Sequence, residues 1–176
     1  MNQMEHEAPL AVDITIRRAT VADVPDLWAL LRDLAVEEGL GARFTATIDD
    51  MRRDGFGPRP RFTAALARAS AGDVLGFASW FPLYSSIRAR DYLFLDNLYV
   101  RPQARGGGGR VARLLIAHVA ADAVVWQADR LELHVRQPND RARRFYTRTG
   151  IDATGVIVHG AGSDGLARLA ADGEAG

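Results

Sequence analysis

The sequence contains neither cysteine nor lysine. Without cysteine there can be no disulfide, no thiolate metal site and no cysteine nucleophile. Without lysine there is no Schiff-base lysine and no lysine of a Walker A phosphate loop. The four histidines are scattered without the spacing of metal ligands, so we expect no metal site.

Long apolar runs and an N-terminal targeting pattern are also missing. No apolar stretch approaches the roughly 20 residues of a membrane-spanning helix, and the acidic N-terminus lacks a basic, then apolar, leader pattern. We therefore expect a cytoplasmic protein that does not bind membranes. The 176 residues fit one domain. We place it at 13–170, between a flexible tail at 1–12 and a short C-terminal tail at 171–176.

The charge of the chain is uneven although it sums to zero. Residues 1–100 hold 11 arginines against 14 acids, residues 101–150 hold 10 against 4, and residues 151–176 hold 1 against 4. A basic middle in a neutral protein favours a small polyanionic ligand over nucleic acid, whose binding domains are usually basic overall. A solvated arginine-rich helix surface is the alternative.

The pattern of apolar residues predicts an α+β domain. Strands are expected near 14–17, 62–68, 74–81, 92–100 and 130–135, and helices near 20–38, 47–54, 111–123 and 139–149. The last segment is less regular, and we assign 155–159 and 165–169 to a weak hairpin. Hairpins come first along the chain and a strand–helix–strand crossover follows, which is the order of an α+β fold.

The strongest motif is a glycine loop, VRPQARGGGGR, between a strand and a helix. Consecutive glycines let backbone N–H groups turn toward one point, and the helix start adds N–H groups and partial positive charge. With Arg105 and Arg110 as bidentate partners, the loop predicts a pyrophosphate cradle formed by Gly106, Gly107, Gly108 and Gly109. It lacks the third glycine of a dinucleotide fingerprint. A flexible strand-to-helix turn is the alternative.

This loop resembles the acetyl-CoA loop of the GNAT N-acetyltransferase superfamily, through Val-x-Pro-x-x-Arg-Gly-x-Gly at 100–108. Residues 139–150 resemble that family's N-x-x-A-x-x-F-Y-x-x-x-G segment. Segments 54–57, 76–78 and 94–100 are similar to the diamine (spermidine/spermine) N-acetyltransferases and their thialysine-acetylating relatives. The resemblance spans roughly residues 14–170. It implies a GNAT fold, with a mixed, mostly antiparallel sheet of six to seven strands flanked by about four helices.

The resemblance implies transfer of an acetyl group from acetyl-CoA to a primary amine, by direct attack through a tetrahedral intermediate. Tyr146 is the candidate acid for the departing thiolate, because a phenol supplies a proton without bringing charge into the site. Asp96 interrupts an apolar strand and is the candidate base, directly or through a water. The alternatives are a core tyrosine and a structural bulge carboxylate.

Three further residues are expected to hold the pantetheine arm of acetyl-CoA. Asn139 can bond the pantetheine amides, or cap a helix, or do both. Leu98 and Val100 would act through their backbone groups, which can pair with pantetheine as an added strand.

The expected acceptor site departs from the family pattern. Asp96 and Asn97 stand where the diamine group usually has Glu-Asp, and Ser85 stands where it has an acid. Glu38, Asp54 and Asn97 are the candidates for binding the acceptor, with a solvated helix end and turn as the alternative for the first two. Each ammonium taken from water must be paired again. We therefore expect a diamine-like or amino-acid-like small molecule that is less charged than a long polyamine.

The resemblance also implies a homodimer. Two other functions remain open: a catalytically silent acyl-CoA-binding sensor, and an acetyltransferase for protein N-termini or lysines. The presence of Tyr146 and Asp96 favours an enzyme over a sensor.

Overall fold

The computed structural model describes residues 13–174, in which five strands and five helices form. The strands are β1 (Ile14–Arg18), β2 (Thr63–Ala69), β3 (Val74–Ser85), β4 (Arg90–Val100) and β5 (Leu131–Leu133). The helices are α1 (Val24–Glu37), α2 (Ile48–Phe56), α3 (Arg110–Val125), α4 (Asp140–Arg148) and α5 (Ser163–Glu174). The predicted tail at 1–12 and the last two residues of the chain lie outside the described residues.

The chain divides into two compact units between Gln137 and Pro138. The first unit holds the sheet and helices α1 to α3, and the second holds α4 and α5. Helix α5 continues to Glu174, so it passes through the boundary that we place at residue 170. No helix within residues 13–174 has both the length and the apolar character needed to cross a membrane.

The five strands form one sheet in the order β1-β2-β3-β4-β5. The first four pair antiparallel with their neighbours, and β5 pairs parallel with β4. The predicted α+β class and the mixed, mostly antiparallel sheet are confirmed. The predicted number of six to seven strands is wrong, because the described residues form five, and they form five helices instead of about four.

The difference in strand number arises after residue 150. The predicted hairpin at 155–159 and 165–169 is wrong: residues 151–162 form no regular element, and Ser163–Glu174 is helical. Leu166 and Leu169 recur at helical spacing among alanines, which favour helix. Val156–Val158 has the composition of a strand, but strand propensity needs a neighbouring strand to take effect.

Both faces of the sheet are covered, as β2 shows most clearly. Residues 64–67 of this strand are all buried. Ala64 and Leu66 belong to the core cluster with Val24, Leu27 and other residues of α1 and α2. Their neighbours point to the opposite face, where α3 packs on the sheet with its own buried apolar side chains. The sheet is therefore held between two helical layers within the first unit.

A buried carboxylate ties three of these elements together. Asp23, which is 4% exposed, accepts two hydrogen bonds of 2.7 Å from the guanidinium of Arg17 on β1. It also accepts from the backbone N–H and hydroxyl of Thr20, and from Arg68 on β2 at 3.1 Å. The Arg17 guanidinium holds the pKa of Asp23 well below its usual range, because these bonds favour the charged form over the cost of burial.

Candidate active site

Strand β4 carries a bulge at Asp96. On the β3 side, Leu95 pairs with Trp80 and Asn97 pairs with Ser79, so Asp96 is the extra residue. A bulge bends the strand and changes the direction of its side chains, and such irregularities are frequent beside active sites. The carboxylate that the sequence predicts as a base is therefore placed by a local break in the sheet.

Beyond this bulge, β4 has an open edge. Strand β5 pairs with β4 only over residues 93–95, so residues 96–100 have no strand partner on that edge among the described residues. The N–H of Arg101 donates to Leu75 on the β3 side. Because successive residues direct their backbone groups to opposite edges, Leu98 and Val100 present theirs to the open edge. This is the arrangement that backbone pairing with pantetheine requires.

The glycine loop joins this strand to α3 through left-handed backbone. Gly107, Gly108 and Gly109 have φ values of 59°, 62° and 81°, a region that residues with a Cβ avoid. A Cβ added at Gly107 would meet nothing nearer than 3.8 Å, so the loop needs glycine for its backbone and not for space. Arg110 is right-handed and begins α3, with Gly109 as its N-cap. Open N–H groups at the start of a helix fit a pyrophosphate.

Two arginines bond to backbone carbonyls at this loop and at the strand end before it. Arg105 donates its Nε to the Val100 carbonyl at 2.6 Å and pairs with the Glu37 carboxylate of α1. Its guanidinium also lies over the Tyr99 ring, 5.3 Å from the centroid. Arg113 donates to the carbonyl of Gly108. Arg105 therefore connects the end of β4, the loop and α1, while its contact with phosphate remains a prediction.

An open pocket lies in the first unit beside α1, α2 and the sheet. Its apolar lining consists of Leu27, Leu31, Ala46, Met51, Phe62, Ala64 and Phe77. Its polar lining consists of Asp50, Asp54, Ser79, Asp96 and Asn97. The structure thus brings together three of the predicted site residues, Asp54, Asp96 and Asn97. The combination of an apolar wall and carboxylates suits a cation that carries an alkyl body.

Hydrogen bonds from the described residues reach only one of the two carboxylate oxygens of Asp96. Its Oδ2 accepts a 2.7 Å hydrogen bond from Nδ2 of Asn97, which also donates to the hydroxyl of Ser79 at 3.0 Å. Its Oδ1 accepts no hydrogen bond from the described part of the chain. Desolvation by the surrounding atoms raises the pKa of Asp96, and the Asn97 bond and nearby His134 offset this only in part. Asp96 can therefore accept a proton at Oδ1 more readily than an ordinary aspartate.

Asp50 and Asp54 lie one helical turn apart on α2 and both line the pocket. Asp50 caps the helix with Thr47, and the Thr47 and Arg53 bonds lower its pKa to about 2. Arg53 binds Asp54 with both Nε and a terminal nitrogen, and it lowers the pKa of that carboxyl. Sequence reasoning missed Asp50. Its spacing of four residues from Asp54 in the predicted helix was the available signal.

Glu38, the third predicted acceptor residue, lies elsewhere in the first unit. It is the C-cap of α1 and does not line the pocket. Its backbone carbonyl accepts a 2.9 Å hydrogen bond from Arg136. The role of Glu38 toward an acceptor remains a prediction.

Helix α4 of the second unit carries Asn139 and Tyr146. The side-chain oxygen of Asn139 accepts from the Ala142 N–H at 3.0 Å, so the capping role is confirmed. Tyr146 packs edge-on against Phe145, with ring centroids 5.4 Å apart. Gly150 has a φ of 83° and follows the helix end, as the sequence predicts. The roles of Asn139 toward pantetheine and of Tyr146 as an acid stay predictions.

Residues 27–151 match the family model described as the acetyltransferase (GNAT) family. The chain belongs to this family. It is an acetyl-CoA-dependent N-acetyltransferase, which confirms the predicted enzyme class. Within residues 13–174, no group of three or more histidine or acidic side chains gathers in a way that could hold a metal ion.

Two kinds of curated relative are similar over most of this GNAT chain. Thialysine N-epsilon-acetyltransferase of Mus musculus is 30% identical over 142 residues, which cover 77% of this chain and 82% of that protein. The enzyme of the same name from Bos taurus is 29% identical over 144 residues, with 78% and 83% coverage. Spermidine/spermine N(1)-acetyltransferase-like protein 1 of Homo sapiens is 27% identical, over 77% of this chain but 20% of that protein.

Solved structures show the same fold at lower identity. An integron cassette protein from the mobile metagenome of V. cholerae has a TM-score of 0.72 and 22% identity, and the match covers 89% of this chain and 97% of that one. An aminoglycoside N-acetyltransferase solved in complex with CoA has a TM-score of 0.69 and 19% identity, with 89% and 99% coverage. These likenesses support the GNAT fold.

Proposed function

We propose that this GNAT enzyme acetylates a primary amine of a small molecule that carries one ammonium into the pocket beside α2. The observation that supports this most strongly is Asp96: a pocket carboxylate with a raised pKa and an Oδ1 that accepts no internal hydrogen bond. The apolar lining would hold the alkyl body of the acceptor. The thialysine relatives, whose name points to an amine on a side chain, are consistent with this acceptor class.

The chemistry requires three movements of bonds and protons. An alkylammonium with a pKa of about 10 must lose a proton before its nitrogen can attack, and Asp96 would take that proton directly or through a water. The nitrogen then forms a bond to the acetyl carbon, and the bond from that carbon to sulfur breaks. The departing thiolate would receive a proton from the phenol of Tyr146, and the resulting phenolate would take up the second proton that the acetylated nitrogen loses, directly or through a water.

Acetyl-CoA would be held by the open edge of β4 and the glycine loop. Leu98 and Val100 would pair with pantetheine, and Asn139 would bond its amides. The N–H groups of the loop, together with Arg105 and Arg110, would bind the pyrophosphate. The fit rests on the left-handed glycines and on the start of a 16-residue helix.

Release of CoA thiol with a panel of amines tests this function. We expect turnover with short monoamines, small diamines and amino acids that bear a side-chain amine, and mass spectrometry should find one acetyl group on the product. Tight binding of acetyl-CoA without CoA release on any amine would favour a sensor. Turnover only on peptide N-termini or lysines would favour the protein acetyltransferase.

A series of acceptors from monoamine to tetraamine tests how many ammonium groups the preferred substrate carries. Long polyamines need several anionic contacts along their length, whereas only Asp96 among the pocket carboxylates lacks an arginine partner. We expect kcat/KM to be greatest for a short amine with little charge. A steep rise with each added ammonium, with its maximum at spermine, would contradict this acceptor.

Homodimerisation and a cytoplasmic location belong to the same proposal. The first rests on the resemblance to the diamine group, and sedimentation equilibrium would test it. A monomer at micromolar concentration would contradict it. The second would be tested by fractionation of cells that produce the protein.

A further inference from the structure

Arg53 of α2 bonds to both helix carboxylates of the acceptor pocket. One terminal nitrogen donates to Asp50 at 2.9 Å. The Nε and the other terminal nitrogen donate to the two oxygens of Asp54 at 3.0 and 2.6 Å. Asp50 and Asp54 line the pocket and Arg53 does not, so the guanidinium approaches these carboxylates from outside the cavity. A planar fork that meets a carboxylate through two nitrogens is a strong and directional pair.

These bonds make the two carboxylates of α2 unlike the third carboxylate of the pocket, Asp96. Each oxygen of Asp54 already accepts from Arg53, and the oxygens of Asp50 accept from Arg53 and Thr47. Two negative charges are thus balanced in part by one internal positive charge. At Asp96, by contrast, Oδ1 accepts no hydrogen bond from the described residues, and no arginine is paired with its carboxylate.

A diamine in the pocket would need a partner for each of its two ammonium groups. One would meet Asp96, where the reaction takes place. The other would have to share Asp50 and Asp54 with a guanidinium, and like charges held close together repel each other. A monoamine of equal length meets no such competition.

We propose that Arg53 is a specificity-determining residue: as a cation already bonded to Asp50 and Asp54, it weakens the attraction of these two carboxylates for the second ammonium of a diamine. The proposal rests on the proposed function, because it concerns the same pocket and the same acceptor class. It predicts that removal of the guanidinium shifts the enzyme toward doubly charged acceptors.

The test compares 1-aminobutane with 1,4-diaminobutane, which differ in one ammonium but hardly in length. In Arg53→Gln, the ratio of kcat/KM for the diamine to that for the monoamine should rise about two- to fivefold, the scale expected for one exposed charge pair. Arg53→Lys keeps the positive charge, so its ratio should stay closer to that of the wild type. Adding Asp54→Asn to Arg53→Gln should abolish most of the gain, because the released carboxylate is then gone.

Arg52→Gln is the matched control. Arg52 is the neighbouring residue on the same helix and pairs with Asp49, which does not line the pocket. Its removal changes the net charge of the protein by the same amount as removal of Arg53 and breaks an ion pair on the same helix, but it releases no pocket carboxylate. Its ratio should equal that of the wild type. Thermal unfolding of each variant checks that the fold is kept.

The outcomes separate this proposal from the proposed function. An unchanged or lower ratio in Arg53→Gln, or an equal rise in Arg52→Gln, overturns the role of Arg53 while amine turnover stands. Calorimetric titration of the same two amines gives a readout without turnover. If no variant releases CoA but Arg53→Gln alone gains affinity for the diamine, the proposed function fails and the role of Arg53 holds. If neither readout moves, the role of Arg53 is wrong.

Discussion

Asp96 is an exposed carboxylate at the bulge of β4, and the described residues pair only one of its oxygens. Asn97 bonds one of its oxygens and in turn depends on the buried hydroxyl of Ser79. The amide therefore orients the carboxylate, and the second oxygen accepts no hydrogen bond from the described residues. This division between an anchored and an available oxygen is what a general base needs.

The first prediction for a single residue concerns Asp96 and the pH dependence of kcat/KM. A base must be deprotonated to act, and its raised pKa moves the acid limb of kcat/KM above the value near 4 of an ordinary aspartate. Asp96→Asn should remove that limb and lower kcat by about 100-fold. The pH profile of kcat/KM should be measured with several amines of different pKa. The limb that reports the amine shifts with the pKa of the amine, whereas the limb that reports Asp96 does not.

Asp91→Asn serves as the control for this measurement. Asp91 is an exposed residue of the same strand and does not line the pocket, so its substitution should leave the profile unchanged. Wild-type kcat in Asp96→Asn would show that the carboxylate is only a structural feature of the bulge.

The second prediction concerns the phenol of Tyr146. In Tyr146→Phe the ring still packs against Phe145, so stability should hold. Loss of the acid should lower kcat by roughly 10²- to 10⁴-fold, with little change in the Kd of acetyl-CoA. Stopped-flow acetyl transfer and calorimetry measure the two quantities.

Tyr84→Phe is the matched change for Tyr146→Phe, because Tyr84 is an exposed tyrosine on β3. It should behave like the wild type in both measurements. If Tyr146→Phe turned over at the wild-type rate, Tyr146 would be a packing residue, and water would protonate the thiolate.

At the scale of elements, the end of β4 and the loop that follows it act together. Gly76 of β3 faces Val100, and an added Cβ there would lie 2.3 Å from the Tyr99 carbonyl oxygen. The strands can approach this closely only because residue 76 has no side chain. Arg105 then ties the strand end to α1, so the open edge and the glycine loop have a common support.

The prediction for this element is that Arg105→Ala raises the KM for acetyl-CoA. The change removes the guanidinium that we expect to pair with the pyrophosphate, and hydrogen bonds to charged groups contribute about 1.5–3 kcal/mol. That energy corresponds to a rise of roughly ten- to 150-fold. Steady-state kinetics at saturating amine measure it.

Arg90→Ala, at the opposite end of β4, is the control for Arg105→Ala. It should leave the KM for acetyl-CoA unchanged. An unchanged KM in Arg105→Ala, with the fold intact by circular dichroism, would place cofactor binding away from this loop.

Local signals predicted most of these elements, and the failures have a common physical cause. The glycine loop, the helix cap at Asn139 and the stop at Gly150 depend on residues next to one another, so the sequence displays them directly. The hairpin after residue 150 failed because a strand depends on a partner that the local pattern does not contain. The sequence predicted Asp54, Asp96 and Asn97 of the pocket but not Asp50. The bonds of Arg53 to Asp50 and Asp54 depend on the directions of the side chains, which the sequence does not show.

For the molecule as a whole, the fold followed from two motifs in the right order, whereas its stability depends on contacts that no motif shows. Asp23 joins β1, β2 and the start of α1, although Arg68 is 45 residues away along the chain. The sequence predicted a helix that begins near residue 20. It did not reveal the two arginines, because their approach follows from the pairing of β1 with β2.

The stability prediction follows from the lowered pKa of Asp23. A carboxyl with a lowered folded-state pKa stabilises the fold above its unfolded pKa of about 3.9, and this contribution is lost as the pH falls below that value. Asp23→Asn should reduce the free energy of unfolding at pH 7 by about 1–3 kcal/mol. The value is moderate because the Arg17 side chain is 44% exposed, and solvent screens the pair.

Urea denaturation at pH 7 and at pH 3 measures this effect. The difference between the wild type and Asp23→Asn should shrink at pH 3, because Asp23 of the unfolded chain is then mostly protonated while Asp23 of the folded protein stays charged. Asp49→Asn, at a side chain that is 89% exposed, should change little at either pH. An equal difference at both pH values would show that Asp23 does not act through its charge.

The most direct test of the whole account is a crystal structure of the enzyme with CoA and a short monoamine. We expect the amine nitrogen within hydrogen-bonding distance of Oδ1 of Asp96, and the alkyl body against Leu27 and Met51 in the pocket. An amine bound outside this pocket, with Asp96 more than one water away from its nitrogen, would contradict the account.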